Sequence, residues 1–378
     1  MVRFLHTADW HLGMTRHFLG DEAQANFTAA RFEAVRAIGE IAAREGCAFV
    51  VVCGDAFDSN QVDTRTVRRA CDALAAIRVP VYVLPGNHDA LDPGSVYRSR
   101  TFLESRPPNV RVLDTTGVHA VADGVELLAA PWPTRRPVQD LVGAVCSRVK
   151  PDRSVLRVAV GHGAVDTLAP SKDDPSLISV AEAERAISDG RIQYLALGDR
   201  HSSTDVGAAG KIRYAGAPEA TDFDEVAAGG ALIVEVDRDG ASATDRRIGV
   251  WSFVRHEGHV NRDDDLESLR SHFAQVPRKD RTALRLALVG SLSVRQRAAL
   301  DHLLDEERLV FASLELSSKR SDLVTLADDA DFLDFGFTGF AKGAVVELRE
   351  RAAGTGPEAQ IAREALALLY RLARGQAS

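Results

Sequence analysis

The stretch Phe49-Val50-Val51-Val52-Cys53-Gly54-Asp55-Ala56-Phe57-Asp58 decides how the chain is read. An unbroken apolar run closed by glycine predicts a strand buried on both faces, as in a parallel sheet covered by helices. The strand ends on a carboxylate, and in open α/β sheets ligands bind beyond the carboxyl ends of the strands. The same arrangement recurs on either side. Residues 2–5 lead to Asp9-Trp10-His11, and 79–84 to Gly86-Asn87-His88-Asp89. Residues 156–160 lead to Gly161-His162, and 192–197 to Gly198-Asp199-Arg200-His201. Helices are expected between them. Phe27, Ala30, Ala34, Val35, Ile38 and Ile41 recur at helical spacing over 22–45. Asp63 or Thr64 can cap a helix bearing Val67, Ala70, Cys71, Leu74 and Ile77. Ser179 and Glu182 have capping-box spacing for a short helix ending at Asp189-Gly190. Residues 118–130, broken by Asp123-Gly124, predict a hairpin. The expected fold class is α/β, with layered sheets flanked by helices.

The chain has 378 residues, 46 Lys+Arg against 54 Asp+Glu, and a net charge of −8. With 45% hydrophobic and 26% charged residues it is long and apolar enough for two cores, which excludes a disordered chain. No run approaches the roughly 18 apolar residues of a membrane span, so no membrane partner is expected. The acidity argues against a surface that binds nucleic acid everywhere but is compatible with a local basic groove. Cys47, Cys53, Cys71 and Cys146 form no CxxC pair, which fits small buried side chains in a reduced cytoplasm. The first residues run directly into a strand, so an export signal is not expected. Short strands with glycine turns from 207 to about 257 are expected to complete the first domain. The polar stretch 262–265 suggests a boundary. Beyond it a helix (266–273), a strand (284–288), a helix (294–304), a strand (309–316) and a tail helix (357–374) are expected. The expected domains are 1–257, an α/β capping domain at 258–340, and a helical segment at 341–378. That segment either docks a partner or packs on its own domain.

The residue types at the strand ends specify a chemistry. Two divalent ions about 3.5–4 Å apart need one bridging carboxylate flanked by oxygen and nitrogen donors. Carboxylates, an amide and imidazoles without thiolates suit manganese, iron or similar ions. The glycines before Asp55, Asn87, His162 and Asp199 are expected to let the backbone turn sharply at each strand end. Taken singly, an Asp-x-His is a surface pair and a Gly-Asp a turn. The signal lies in the ordered set, each member on a strand end.

The series D-x-H, G-D-x-x-D, G-N-H-D, G-H and G-x-x-H resembles the calcineurin-like metallophosphoesterase superfamily. Within it, Leu5-His6-Thr7-Ala8-Asp9-Trp10-His11-Leu12-Gly13 is similar to the opening of the SbcD-type DNA repair nucleases, the nuclease subunits that partner SMC-like ATPases. Tyr194-Leu195-Ala196-Leu197-Gly198 and Tyr214-Ala215-Gly216-Ala217-Pro218-Glu219 extend the likeness, which covers about residues 1–255. The resemblance implies a two-metal phosphodiesterase that cleaves DNA as an exonuclease, with endonuclease activity as a further option. In such enzymes a metal-bridging hydroxide attacks phosphorus. It implies that Asp9, His11, Asp55 and His201 hold the first ion, with Asp55 bridging to a second that takes Asn87 and His162. It also implies that His88 orients or protonates the leaving oxygen. Manganese is the expected metal, DNA and an SMC-like ATPase the expected partners, and a homodimer is suggested. Asp58 and Asp89 are expected to orient ligands, and His6 to belong to the core.

One departure stands out. The family usually reads G-H-x-H where this chain has Gly198-Asp199-Arg200-His201. In one reading Asp199 ligates the second ion, three carboxylates then leaving one net positive charge on two dications and favouring a hard ion. In the other it falls short and the second ion binds weakly. Arg200 is a candidate contact to a substrate phosphate, or half of a local ion pair. Basic clusters at Arg65/Arg68/Arg69, Arg98/Arg100, Arg135/Arg136, Arg278/Lys279/Arg281 and Lys319/Arg320 either ring the crevice or are solvated faces. The alternative functions are hydrolysis of small nucleotides or phosphoesters, and a DNA-binding scaffold with an impaired second metal site.

Overall fold

The computed structural model describes residues 1–152, 154–326 and 339–352, and in the tail 354, 356–359, 361, 362, 365, 366 and 369. Internal packing divides the chain into two units, Met1–His17 with Asp21–Ser252, and Phe18–Gly20 with Phe253–Ser378.

The first unit begins β1 (Val2–Thr7), α1 (Asp21–Arg44), β2 (Val50–Cys53), α2 (Thr64–Ala75), β3 (Val81–Leu84), α3 (Arg100–Ser105) and β4 (Val110–Val112). It continues through the hairpin β5 (Gly117–Ala122) and β6 (Val125–Ala129), then α4 (Leu141–Cys146), β7 (Leu156–His162), α5 (Val180–Ser188) and β8 (Tyr194–Gly198). It closes with β9 (Thr204–Val206), β10 (Ile212–Tyr214), β11 (Gly230–Val236) and β12 (Ala241–Arg247). One sheet has the order β12-β11-β1-β2-β3-β4 and the other β5-β6-β7-β8-β10-β9. β1 to β4 pair in parallel, as do β6, β7 and β8, so each sheet gathers its carboxyl ends along one edge.

The side chains of β2 explain the layering. Val50 and Val52 pack with Phe32, Val35, Ile38 and Leu74 beneath α1 and α2. Val51 and Cys53, with the preceding Phe49, pack with Phe4, Tyr82, Val158 and Tyr194 between the sheets. On the far side, Leu128, Ala159 and Leu195 pack against Val142 and Ala183 of α4 and α5. The result is helix, sheet, sheet, helix, and β2 is apolar throughout because neither of its faces meets water. The expected caps form: the Asp63 carboxylate accepts from Thr66 N (2.6 Å) and Ser179 Oγ from Glu182 N (3.4 Å).

The two sheets come into backbone contact where β8 ends. A Cβ on Gly198 would lie 1.9 Å from the Cys53 carbonyl oxygen and 2.7 Å from Ala8 Cβ. Neither neighbour is a flexible side-chain end. Gly198→Ala is therefore expected to destabilise the fold by about 3 kcal/mol, a fall in melting temperature of roughly 6–12 °C for a domain of this size. A thermal melt that leaves the midpoint in place would contradict this packing.

The second unit comprises β13 (Ser252–His259), α6 (Asp263–Gln275), β14 (Thr282–Ser293), α7 (Val294–Arg308), β15 (Ser313–Leu316), β16 (Asp322–Leu326) and α8 (Gly339–Ala352). Its sheet runs β13-β14-β15, with β16 also paired to β14. Leu269, Phe273, Leu300, Leu303 and Leu304 of the helices cover Leu284, Leu286 and Leu288. Three expectations are corrected here. The strand reaching residue 257, read as completing the first domain, pairs with β14 instead; alternation shows that a strand exists but not which sheet takes it. The boundary expected at 262–265 falls instead at Ser252/Phe253; at 262–265 the Asp265 carboxylate accepts from Asn261 N (2.8 Å) and Arg262 N (3.0 Å), and the acidic residues sit at the positive end of α6. The strand expected over 309–316 is shorter, because α7 carries on to Arg308 and Leu309, 88% exposed, turns on Glu306. In the tail, Val345 and Leu366 pack with Leu348, Ala352 and Leu369. Leu368 and Leu372 of the expected tail helix lie outside the described residues. Among those described, no helix is long and apolar enough to cross a membrane.

Candidate metal centre

The strand ends of β1, β2, β3, β7 and β8 bring all seven candidate ligands together. Asp9, His11, Asp55 and His162 are buried, whereas Asn87, Asp199 and His201 are partly exposed. Backbone bonds lock the first two loops in register: Asp9 N donates to Gly54 O (3.1 Å), His11 N to Asp55 O (2.9 Å) and Leu12 N to Ala56 O (3.0 Å).

The left-handed backbone is not where the glycines predicted it. Gly54 has a positive φ of 90°, but Gly86, Gly161 and Gly198 do not. The candidate ligands themselves take that conformation, with φ of 54° at Asp9, 45° at His11, 53° at Asp55 and 96° at Asp199. Such strain gathers at functional sites and costs on the order of 1–3 kcal/mol per residue. The other glycines supply space. A Cβ on Gly86 would fall 2.2 Å from Asp55 Oδ1, and one on Gly54 would fall 2.1 Å from His162 Nδ1.

Three groups of donors emerge: Asp9, His11 and His201; Asp9, Asp55 and His162; and His11, Asp58 and His88. In the first, Asp9, His11 and His201 offer ligand atoms within 4.8 Å of one another. His11 Nε2 and His201 Nε2 face each other at 3.0 Å. His201 Nδ1 donates to Thr221 Oγ1 (2.8 Å) and Glu225 Oε1 (3.0 Å), so its Nε2 is the atom free to ligate. In the second, His162 Nδ1 donates to the Cys53 carbonyl (2.8 Å). Its Nε2 then meets Asn87 Oδ1 at 2.6 Å, Asp55 Oδ2 at 3.3 Å and Asp199 Oδ1 at 3.7 Å. Three oxygens converging on one nitrogen whose other proton is already used demand a proton or a cation among them. Donors about 2.1 Å from a shared ion lie about 3 Å apart at right angles, so the set fits a hard divalent ion.

Asp55 joins the groups. Its Oδ1 accepts from His88 N (2.9 Å), while Oδ2 lies 3.3 Å from His162 Nε2 and 4.0 Å from His11 Nε2. One oxygen thus faces both sets. His88 Nδ1 donates to Asp58 O (2.7 Å), and its ring stands edge-on to His11 at 4.8 Å. Asp58 Oδ1 lies 3.3 Å from His11 Nδ1. The Asp89 carboxylate accepts from Gly86 N (2.7 Å), Phe57 N (3.1 Å) and Tyr97 Oη (2.5 Å), tying two ligand loops together. His6 belongs to the core, between Tyr194 Oη and Leu197 O.

Burial sets the electrostatics. It pushes His11 down to about 4, leaving a neutral imidazole, and raises Asp9 to about 7. Burial works against an ionised Asp55, but the adjacent His162 outweighs it and holds the carboxyl low. Burial would likewise strip His162, yet Asp55, Asp199 and Asp9 hold its proton well above the usual range. Without cations, protons neutralise the cage, so low pH opposes metal binding.

Residues 2–184 match the family model described as calcineurin-like phosphoesterase. The chain carries a calcineurin-like phosphoesterase domain. Similar proteins include the SbcD component of the nuclease SbcCD from Escherichia coli strain K12, 26% identical over 265 residues covering 59% of this chain and 62% of the relative. The same protein of Escherichia coli O157:H7 matches equally. The chain therefore spans less than two thirds of the length of these curated relatives. Among solved structures, TT1561 of Thermus thermophilus is 9% identical with a TM-score of 0.40, covering 65% of this chain and 99% of that one. A dimetal phosphatase from Danio rerio is 12% identical with a TM-score of 0.38, covering 64% and 98%.

Other features of the centre carry no signal in the local sequence. Thr221 and Glu225, which orient His201, follow the Tyr214–Glu219 stretch in an irregular loop that shows no periodic signal. Trp132 Nε1 donates to the His162 carbonyl (2.6 Å), pinning the end of β7. Arg200 is exposed and donates to Thr204 Oγ1 (2.9 Å), with no ion pair among the described residues. Several basic clusters are committed locally: Arg69 lies over Phe32, Arg100 pairs with Glu104, Lys279 with Glu307 and Arg320 with Glu257. Removing the group behind a ligating imidazole typically costs 10–100-fold in metal affinity. Glu225→Ala is expected to weaken binding at one of two sites by about that factor, measured by equilibrium dialysis with Mn(II). Unchanged affinity would remove Glu225 from the centre.

Proposed function

We propose that this protein is a two-metal phosphodiesterase acting on DNA, an exonuclease subunit that works with an SMC-like ATPase in DNA repair. The single observation that carries the two-metal reading is Asp55, whose one oxygen faces both imidazole sets while its other is held by His88 N. Asp9, His11, Asp55 and His201 would hold one ion, and Asp55, Asn87, His162 and Asp199 the other. When bound, two divalent ions neutralise charge on a phosphoester and lower the pKa of water. The chain's own residues do the rest. The Cys53 carbonyl and the Thr221/Glu225 pair fix the His162 and His201 tautomers, so that each presents Nε2. His88, its Nδ1 committed to Asp58 O, presents Nε2 as the atom that exchanges a proton with the leaving oxygen.

DNA as substrate rests on the likeness to the Escherichia coli SbcD nuclease component and on the opening Leu5–Gly13. Turnover should be compared on end-labelled duplex DNA, a cyclic nucleotide and bis-p-nitrophenyl phosphate with Mn(II). Cleavage of the duplex supports the reading, whereas rapid turnover of only the small esters removes the nuclease. Asp199 Oδ1 sits 3.7 Å from His162 Nε2, which favours Asp199 as a ligand over a site that lacks one. Asp199→His, which restores the family's usual residue, is expected to keep or raise turnover at unchanged metal content. Loss of turnover with both ions retained would overturn the assignment of Asp199.

A further inference from the structure

Arg31 lies on α1 at a position whose neighbours one turn away, Phe27, Ala34 and Val35, all face the core. A charge on that stripe breaks the amphipathic pattern. The residue is 2% exposed. Burying an ion costs several kcal/mol unless it is paired and hydrogen-bonded. Arg31 nonetheless makes no ion pair among the described residues, and its Nε finds no partner. Its Nη1 donates to Trp10 O (2.7 Å), and its Nη2 to Ala220 O and Met14 Sδ (3.3 Å each). The guanidinium also lies over the Phe27 ring at 4.7 Å.

The two carbonyls belong to the loops that build one donor group. Trp10 separates Asp9 from His11, both held in left-handed backbone. Ala220 precedes Thr221, which together with Glu225 fixes His201 Nδ1. Arg16 adds a more exposed tie between the same segments, from its Nε to Thr221 O (2.8 Å) and its Nη2 toward Asp222 (3.9 Å). Arg31 holds the carbonyl of the peptide between Trp10 and His11, whose N–H donates to Asp55 O.

The geometry points to Arg31 as the positioning residue of the Asp9–His11–His201 group: its planar fork holds the two ligand loops at the separation a cation needs. This rests on the two-metal reading and holds for any phosphoester substrate. The fork matters because it bonds two carbonyls at once, which an ammonium cannot reproduce with the same geometry.

Charge and position make opposite forecasts, which gives the test. If Arg31 acted only as a buried positive charge, Arg31→Met would relieve repulsion and tighten cation binding. If it positions the loops, Arg31→Met weakens one of two Mn(II) sites by about 10–100-fold. In that case electron paramagnetic resonance at stoichiometric metal shows isolated Mn(II) in place of the spin-coupled pair. Arg31→Lys, which keeps the charge but not the fork, is expected to weaken the same site. Combining Arg31→Met with Glu225→Ala should cost less than the sum of the two changes, since both loosen His201. The full-length chain is used throughout, with circular dichroism to verify the fold. Unchanged or tighter binding in folded Arg31→Met overturns the proposal. Failure of both Arg31→Met and Arg31→Lys to fold also overturns it, because Arg31 is then a strut of the core. Wild-type protein that binds no Mn(II) overturns the two-metal reading itself, a distinguishable result.

Discussion

Asp55→Asn is expected to lower turnover of bis-p-nitrophenyl phosphate by about 10³-fold or more, and to reduce bound Mn(II) below two ions per chain. The change is nearly isosteric, so β2 and its neighbours should remain folded. What is lost is the negative charge on the one oxygen that looks toward His162 Nε2 at 3.3 Å and His11 Nε2 at 4.0 Å. An amide offers a single neutral acceptor and a pair of N–H donors. If the oxygen keeps its bond to His88 N, the amino group is turned toward the two imidazoles and repels a cation. If the amide flips, the His88 bond is lost. Either way one dication loses its share of the bridge, and three carboxylates around two dications become two. A variant that keeps both ions and wild-type turnover would mean that the two donor groups act independently, and the two-metal reading would fall.

His88→Ala should leave both ions bound and lower DNA cleavage by about 10²–10³-fold, the usual contribution of a positioned acid or base. The size of the effect should depend on the leaving group. A deoxyribose oxygen is a poor leaving group that needs a proton, whereas p-nitrophenolate leaves without one. The loss on bis-p-nitrophenyl phosphate should accordingly be about tenfold or less. Equal losses on both substrates would assign His88 to water or phosphate rather than the leaving oxygen. Loss of metal would make it structural through its backbone and Asp58 contacts. Its side chain is half-buried and its Nδ1 is committed to Asp58 O. The substitution therefore opens little core, and the metal-content measurement is interpretable.

Much of the candidate donor set is legible because each member follows a buried strand, and unbroken apolar runs such as 49–53 are strong local signals. The same logic located α1, α2, α5 and the β5–β6 hairpin. It failed where the deciding partner is distant. The strand ending at His259 reads as well for one sheet as for another, since alternation carries no address. Leu309 and Val310 look like strand residues but form an exposed turn, because the end of α7 is set by packing of Leu300, Leu303 and Leu304. Most of the strand-end glycines supply space rather than a left-handed turn. At Gly86 and Gly198 they leave room for Asp55 and for the Cys53 carbonyl, contacts that a reader of local sequence has no means to see.

Chain order and residue type by themselves determined that parallel strands end in carboxylates, an amide and imidazoles, because burial and side-chain chemistry are properties of short segments. Only the folded chain decided which nitrogen of each histidine is free, which oxygen of Asp55 faces both donor groups, and that Arg31 bonds the Trp10 and Ala220 carbonyls while Thr221 and Glu225 bond His201. Those choices depend on hydrogen bonds between segments as many as 190 residues apart, such as Asp199 N to Asp9 Oδ1. Directional contacts of that kind exist only once the two sheets have packed.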